Sequence, residues 1–158
     1  MKNILGIDSY HQMNDMAKNV DVGSEELFVF PYGNGPERMF DNKHIGSSYI
    51  NIDLTKHSVE HLVRSSIEGI VFSMIYGLEI LKNDNVNPSV IRVGNDNLFQ
   101  SEVFSKTFST LSESKIEIFD VTGAYGAARS ASLDVEITKQ TKNDFIKGII
   151  PSENKNIY

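Results

Sequence analysis

The chain of 158 residues contains no cysteine, which excludes disulfide bridges and thiolate metal sites. It has no basic stripe either. Its 15 Lys and Arg are outnumbered by 21 Asp and Glu, interspersed rather than blocked, and the formal charge of -6 argues against a nucleic-acid partner or an anionic membrane surface. Long apolar runs are also missing. The opening Met1-Lys2-Asn3-Ile4-Leu5-Gly6 is too short for a signal peptide or a membrane span, so the expected location is the cytoplasm. There is no internal repeat and no low-complexity tract. Of the four histidines (His11, His44, His57, His61) only His57 and His61 stand at i,i+4. With no acidic third ligand on the same face, that pair reads as helix surface rather than as a zinc site, and no metal ligand set is expected.

What is present fits one packed α/β domain with one core, since 158 residues are too few for two domains of typical size. The organising stretch is Val90-Ile91-Arg92-Val93-Gly94-Asn95-Asp96-Asn97, followed by an apolar-periodic run from Leu98 to Leu111. A β-branched run after Pro88 that stops in a Gly-Asn-Asp-Asn cluster reads as a buried strand feeding a helix through a tight turn. Open α/β sheets place ligands at the carboxyl ends of such strands, and Gly94 would let a ligand approach the backbone. Taken alone, that glycine is better explained as plain turn chemistry than as a binding loop.

Before this unit, Ser9 to Lys18 has helical spacing, with Asp8 placed to cap it. Leu27 to Phe30 reads as a brief strand ended by Pro31, and residues 31–53 as a long structured loop dense in turn formers. Thr55 to Leu81 is the strongest helix, broad in its apolar face and expected to be largely buried. Glu60, Arg64 and Glu68 at i, i+4 and i+8 read as a solvated ion-pair stripe, and Gly69 in the helix interior as a place where another backbone comes close. Beyond the unit, Lys115 to Phe119 alternates as a strand, Gly123 to Ala128 starts a helix, and the tail from Thr138 is expected to fray apart from one short helix around Phe145, Ile146 and Ile149.

The order of these motifs resembles the C-terminal portion of the FGGY family of carbohydrate kinases, most closely its ketopentose kinases. The residues that carry the resemblance are Leu27-Phe28-Val29-Phe30-Pro31-Tyr32, Gly35-Pro36-Glu37-Arg38, Gly46-Ser47-Ser48-Tyr49-Ile50-Asn51-Ile52 and His61-Leu62-Val63-Arg64-Ser65-Ser66-Ile67-Glu68-Gly69. Together they follow the family's second signature. Val93-Gly94-Asn95-Asp96-Asn97 stands in place of its glycine-rich adenosine motif, and Gly123 to Ala128 in place of its Gly-x-x-Gly-Ala-Ala helix start. Two departures stand out: Asn51 replaces a glycine, and Gly94 alone remains where the family usually shows two or three glycines.

The resemblance implies part of an actin-like ATPase domain of RNase H type, helices packed on a small sheet, with residues 1–137 as the nucleotide-side domain portion and 138–158 as a tail. It implies ATP or ADP as ligand, with Mg in the complete enzyme, and Gly94, Asn95, Asp96 and Asn97 bordering the adenosine. The catalytic aspartate and both phosphate loops of the family have no counterpart in this sequence. Asp8, Asp41, Asp53 and Asp120 each end a loop and adjoin no glycine-rich phosphate loop, so none is assigned as a catalytic base. The chain alone is therefore expected to be inactive. Its expected partner is the missing N-terminal kinase half, or a second copy paired through the sheet edge left open at Val90 to Val93. The alternative is a non-catalytic remnant that folds and self-associates without binding nucleotide.

Overall fold

The computed structural model describes residues 1–131 and 146–151. Instead of one core it has two compact units, Met1–Ile80 and a second beginning at Leu81. In the first, the Ser9 hydroxyl accepts the Gln12 N–H at 3.1 Å, so helix α1 spans Tyr10–Lys18 and its cap is Ser9 rather than Asp8. The chain then passes through Gly23, Ser24, Glu25 and Glu26, all left-handed, with φ between 48 and 87°. For the three residues with a Cβ this conformation costs about 1–2 kcal/mol each, so something must hold it.

Strand β1 (Phe28–Tyr32) pairs antiparallel with β2 (Gly46–Ile50). Two expectations change here. Pro31 does not end the strand but lies inside it opposite Ser47. In a two-stranded ribbon each strand has an outer side on which a missing N–H costs nothing. Residues 31–53, expected as loop throughout, contain the return strand of a hairpin. Only Tyr49 of β2 turns partly inward, so the segment carries no apolar alternation to read; its hydroxyl lies 2.7 Å from Ser66 Oγ and docks the hairpin on the next helix. Burial raises the Tyr49 phenol above its ordinary range, with the Ser66 hydrogen bond opposing.

Helix α2 runs Val59–Asn83 and starts later than Thr55. Asp53 explains the delay: its carboxylate accepts from the Thr55 N–H at 2.8 Å and hydroxyl at 2.7 Å, closing a turn and holding the Asp53 carboxyl below its usual range. Burial is confined to one part of the helix. Val63 to Gly69 and Val71 are buried, whereas Phe72, Met74, Tyr76 and Ile80 are exposed. Gly69 meets the sequence expectation, because a Cβ there would lie 2.5 Å from the Val29 carbonyl oxygen.

In the second unit, β3 (Val90–Gly94) and β4 (Lys115–Phe119) pair in parallel, joined by helix α3 (Glu102–Ser112). The helix begins after Gln100 because Ser101 caps it, its hydroxyl accepting the Phe104 N–H at 3.3 Å; Leu98 and Phe99 fall in a short 3-10 turn before it. Phe104, Phe108 and Ile116 form the buried centre. Helix α4 (Gly123–Ala131) follows β4. Of the expected tail only Ile146–Pro151 is described, and Ile146–Ile150 forms strand β5 antiparallel to β4 rather than a short helix. The boundary near 137 and the frayed end lie outside the described residues. The sheet order is β3-β4-β5, so among the described residues β3 has an open outer edge. Also among them, no helix is long and apolar enough to cross a membrane.

Candidate functional site

The carboxyl end of β3 meets the start of α4. Gly94 closes the strand, and the Asn95 N–H donates to the Phe119 carbonyl at 2.8 Å, extending the ladder by one residue. The turn then reverses, with Asn97 left-handed at φ 48°. Asp96 bridges the two elements: its Oδ2 accepts the Gly123 N–H at 3.1 Å, placing a carboxylate on the positive end of α4. The sequence pattern predicts that β3 hands the N-terminus of its own following helix to a ligand. Instead that helix is capped by its own Ser101, and the helix start beside Gly94 is that of α4, 27 residues on from Asp96.

Gly94 has a demonstrable reason to be glycine. A Cβ built there would lie 2.5 Å from the Val121 carbonyl oxygen and 3.4 Å from Asp96 Oδ1. The close approach is to the chain's own backbone, which compacts the ledge between β3 and α4, and position 94 adds no side chain to it. Gly94, Asn95 and Asp96 are half-buried and Asn97 is exposed, so the four are reachable from solvent. The Asn95 and Asn97 carboxamides have no hydrogen-bond partner among the described residues and can both donate and accept. Gly123, Ala124 and Tyr125 are exposed beside them. Periodicity marks these three only as a helix start, and the Gly-x-x-Gly-Ala-Ala pattern is the signal that places them at the site.

Below this ledge, Glu117 of β4 ties the two parallel strands. Its carboxylate takes Lys115 Nζ at 2.8 Å and Arg92 Nε at 3.0 Å. The Lys115 hydrogen bond, followed by the Coulomb pull of Lys115 and Arg92, holds the Glu117 carboxyl below the usual carboxylate range against an opposing desolvation. A depressed carboxylate contributes stability that is present above its unfolded value and is lost as the pH falls through its folded value. Acid titration followed by circular dichroism is therefore expected to show β3–β4 weakening below about pH 4. In Glu117→Gln that part of the pH dependence should be absent.

Other candidates are placed elsewhere. The His57 and His61 rings lie 5.4 Å apart, but at the entrance of α2 rather than along its surface: His57 Nδ1 accepts the Asp53 N–H at 3.0 Å and His61 Nδ1 the Ser58 N–H at 3.1 Å. Among the described residues no group of three potential ligands gathers for a metal. The stripe of Glu60, Arg64 and Glu68 is corrected more strongly. Arg64 is 7% and Glu68 2% exposed, and they form a buried pair at 2.7 Å. Glu68 accepts the Gly23 N–H at 3.1 Å and the Ser24 hydroxyl at 3.0 Å, which is what holds the left-handed turn. Asn51 is also left-handed at φ 66°, a conformation glycine adopts freely and asparagine tolerates, so its departure from the signature keeps the backbone geometry.

No family model matches the chain. It is 27% identical over 115 residues to the gluconokinase of Bacillus subtilis, covering 72% of this chain and 22% of that protein. It is likewise 27% identical over 93 residues to the xylulose kinase of Haemophilus influenzae, covering 59% of this chain and 18% of that protein. Among solved structures, the glycerol kinase of Plasmodium falciparum with ADP superposes at a TM-score of 0.76 and 18% identity, over 97% of this chain and 31% of that one. The matched stretches thus make up only 18 to 31% of the length of those proteins. Over that part its sequence is similar to carbohydrate kinases of the FGGY type, and it shares the actin-like ATPase fold of the solved kinases.

Proposed function

We propose that this chain is the C-terminal, nucleotide-side portion of an ATP-dependent sugar kinase and supplies the adenosine side of its ATP cleft. One observation carries the reading: the ledge at Gly94 to Asn97 is open, and the one charged group in it, the Asp96 carboxylate, is negative. The first α4 amide, which a phosphate would use, is taken by Asp96, while the Asn95 and Asn97 carboxamides face no protein partner among the described residues. Such a surface suits a purine or ribose better than a phosphate. The catalytic aspartate, the phosphate loops and the groups that would place Mg between the phosphates lie, on this reading, in the rest of the enzyme. Phosphoryl transfer depends on those groups being positioned together. D-xylulose is the sugar we assign to the whole enzyme, from the xylulose kinase likeness. The N-terminal half is the partner we assign to the chain, paired along the open edge of β3.

Two measurements test this. The chain alone, with ATP, magnesium and xylulose, is expected to give no turnover above a blank; clear turnover contradicts the account. Calorimetry with ADP is expected to give a saturable heat that Gly94→Val abolishes. Because a side chain at 94 also meets the Val121 carbonyl, Asn95→Ala is the cleaner variant. It should weaken ADP binding on the order of tenfold, the worth of one hydrogen bond, with the unfolding midpoint unchanged. No heat with the folded wild-type chain favours the non-catalytic remnant.

A further inference from the structure

The unit Met1–Ile80 carries an apolar groove of about 440 Å³ between the hairpin and α2, lined chiefly by Phe28, Phe30, Tyr32, Phe40, Phe72 and Tyr76. Among the described residues no charged one lines it. Phe28, Phe30 and Tyr76 are each about half exposed, at 51, 52 and 52%, and Phe72 at 36%. Single exposed apolar residues need no explanation, but a contiguous aromatic patch of this kind marks a contact surface. Burial and its neighbours Glu37 and Tyr76 raise the Tyr32 phenol, which stays neutral there.

We infer that this groove docks an uncharged, apolar segment of the remaining part of the kinase, a surface separate from the nucleotide ledge. The inference rests on the reading proposed above. Two observations select this occupant over a second copy of the chain. The matched kinases are roughly three times as long as this chain, so a segment of that fold presents faces that the remainder covers. The four exposed rings, at about 150–250 Å² each and roughly half in solvent, offer on the order of 400 Å² per copy. A stable symmetric pair needs about 800 Å² per partner, so this patch alone is too small for one and suits a larger contact of which it is a part. The lack of charge in the lining excludes an acidic or basic segment, whose desolvation nothing in the groove would offset.

Photo-cross-linking in cells of the source organism tests it, with the full chain carrying benzoylphenylalanine at Tyr76 in one preparation and at Arg92, on the edge of β3, in another. Mass spectrometry then identifies the captured peptide. The expected result is a kinase peptide from outside these 158 residues, captured from Tyr76, with a yield that Phe30→Ser lowers at least tenfold while helix content by circular dichroism is unchanged. Capture from Tyr76 of only a second copy, an unrelated protein or nothing, while Arg92 captures kinase sequence, overturns the groove as docking site and leaves the function reading intact. Failure of both probes overturns both.

Discussion

Replacing Arg64 by leucine is expected to destabilise the Met1–Ile80 unit by about 3–5 kcal/mol, because it leaves the Glu68 charge buried without its counter-ion. Urea unfolding measures it. Such a loss is a large share of the roughly 5–15 kcal/mol typical of a folded domain. Arg64 also donates to the carbonyls of Ala17 at 3.3 Å and Val20 at 3.4 Å, so the substitution removes a cation from the C-terminal end of α1 as well. Glu68 keeps its bonds from Gly23 and Ser24, which places the expected value at the lower end of that range. Changing Glu68 to leucine in addition removes the stranded charge but frees the left-handed turn, so the double variant should recover only part of the loss. A change below about 1 kcal/mol in Arg64→Leu would mean that the pair is solvated after all.

The second large effect is one of opposite signs on one helix. Gly69→Ala is expected to destabilise by about 1–3 kcal/mol, since its methyl group would sit 2.5 Å from the Val29 carbonyl oxygen and 3.2 Å from the Val29 Cβ. The ordinary gain of alanine over glycine in a helix, about 1 kcal/mol, is outweighed by that overlap. Gly77, two turns further along α2, has no atom within 4 Å of the place a methyl group would take, and there Gly77→Ala should stabilise by about 0.5–1 kcal/mol. Thermal or urea unfolding of the two variants side by side gives both signs. Equal effects would show that the hairpin does not press on α2 as described.

These two sites also show what a sequence reveals. The close approach at Gly69 is legible because a glycine inside a strongly periodic helix is costly and needs a reason, and the strands Val90–Gly94 and Lys115–Phe119 are legible because β-branched residues crowd between turn formers. The burial of Arg64 and Glu68 is not. Charges at i,i+4 look the same whether water or protein covers them, and here the cover comes from α1 and the turn at Gly23 to Glu26, more than 40 residues away in sequence. Strand β2 is hidden because Ser47 and Ser48 face solvent and its pairing with β1 is long-range, and β5 because a run such as Ile146 to Ile150 fits either a helix or a strand until β4 supplies a partner. At the candidate site the four residues Gly94 to Asn97 are readable as a ledge. That Asp96 reaches Gly123 is not, since nothing local announces a bond spanning 27 residues.

The account turns on whether the ledge between β3 and α4 accepts the adenosine part of a nucleotide. Amide NMR spectra of the isotopically labelled chain titrated with ADP test this most directly. The expected result is saturable shifts concentrated at Gly94 to Asn97 and at Gly123 to Tyr125, with residues 28–32 of the aromatic groove unmoved. Spectra unchanged at millimolar ADP, or shifts confined to the groove, would contradict it.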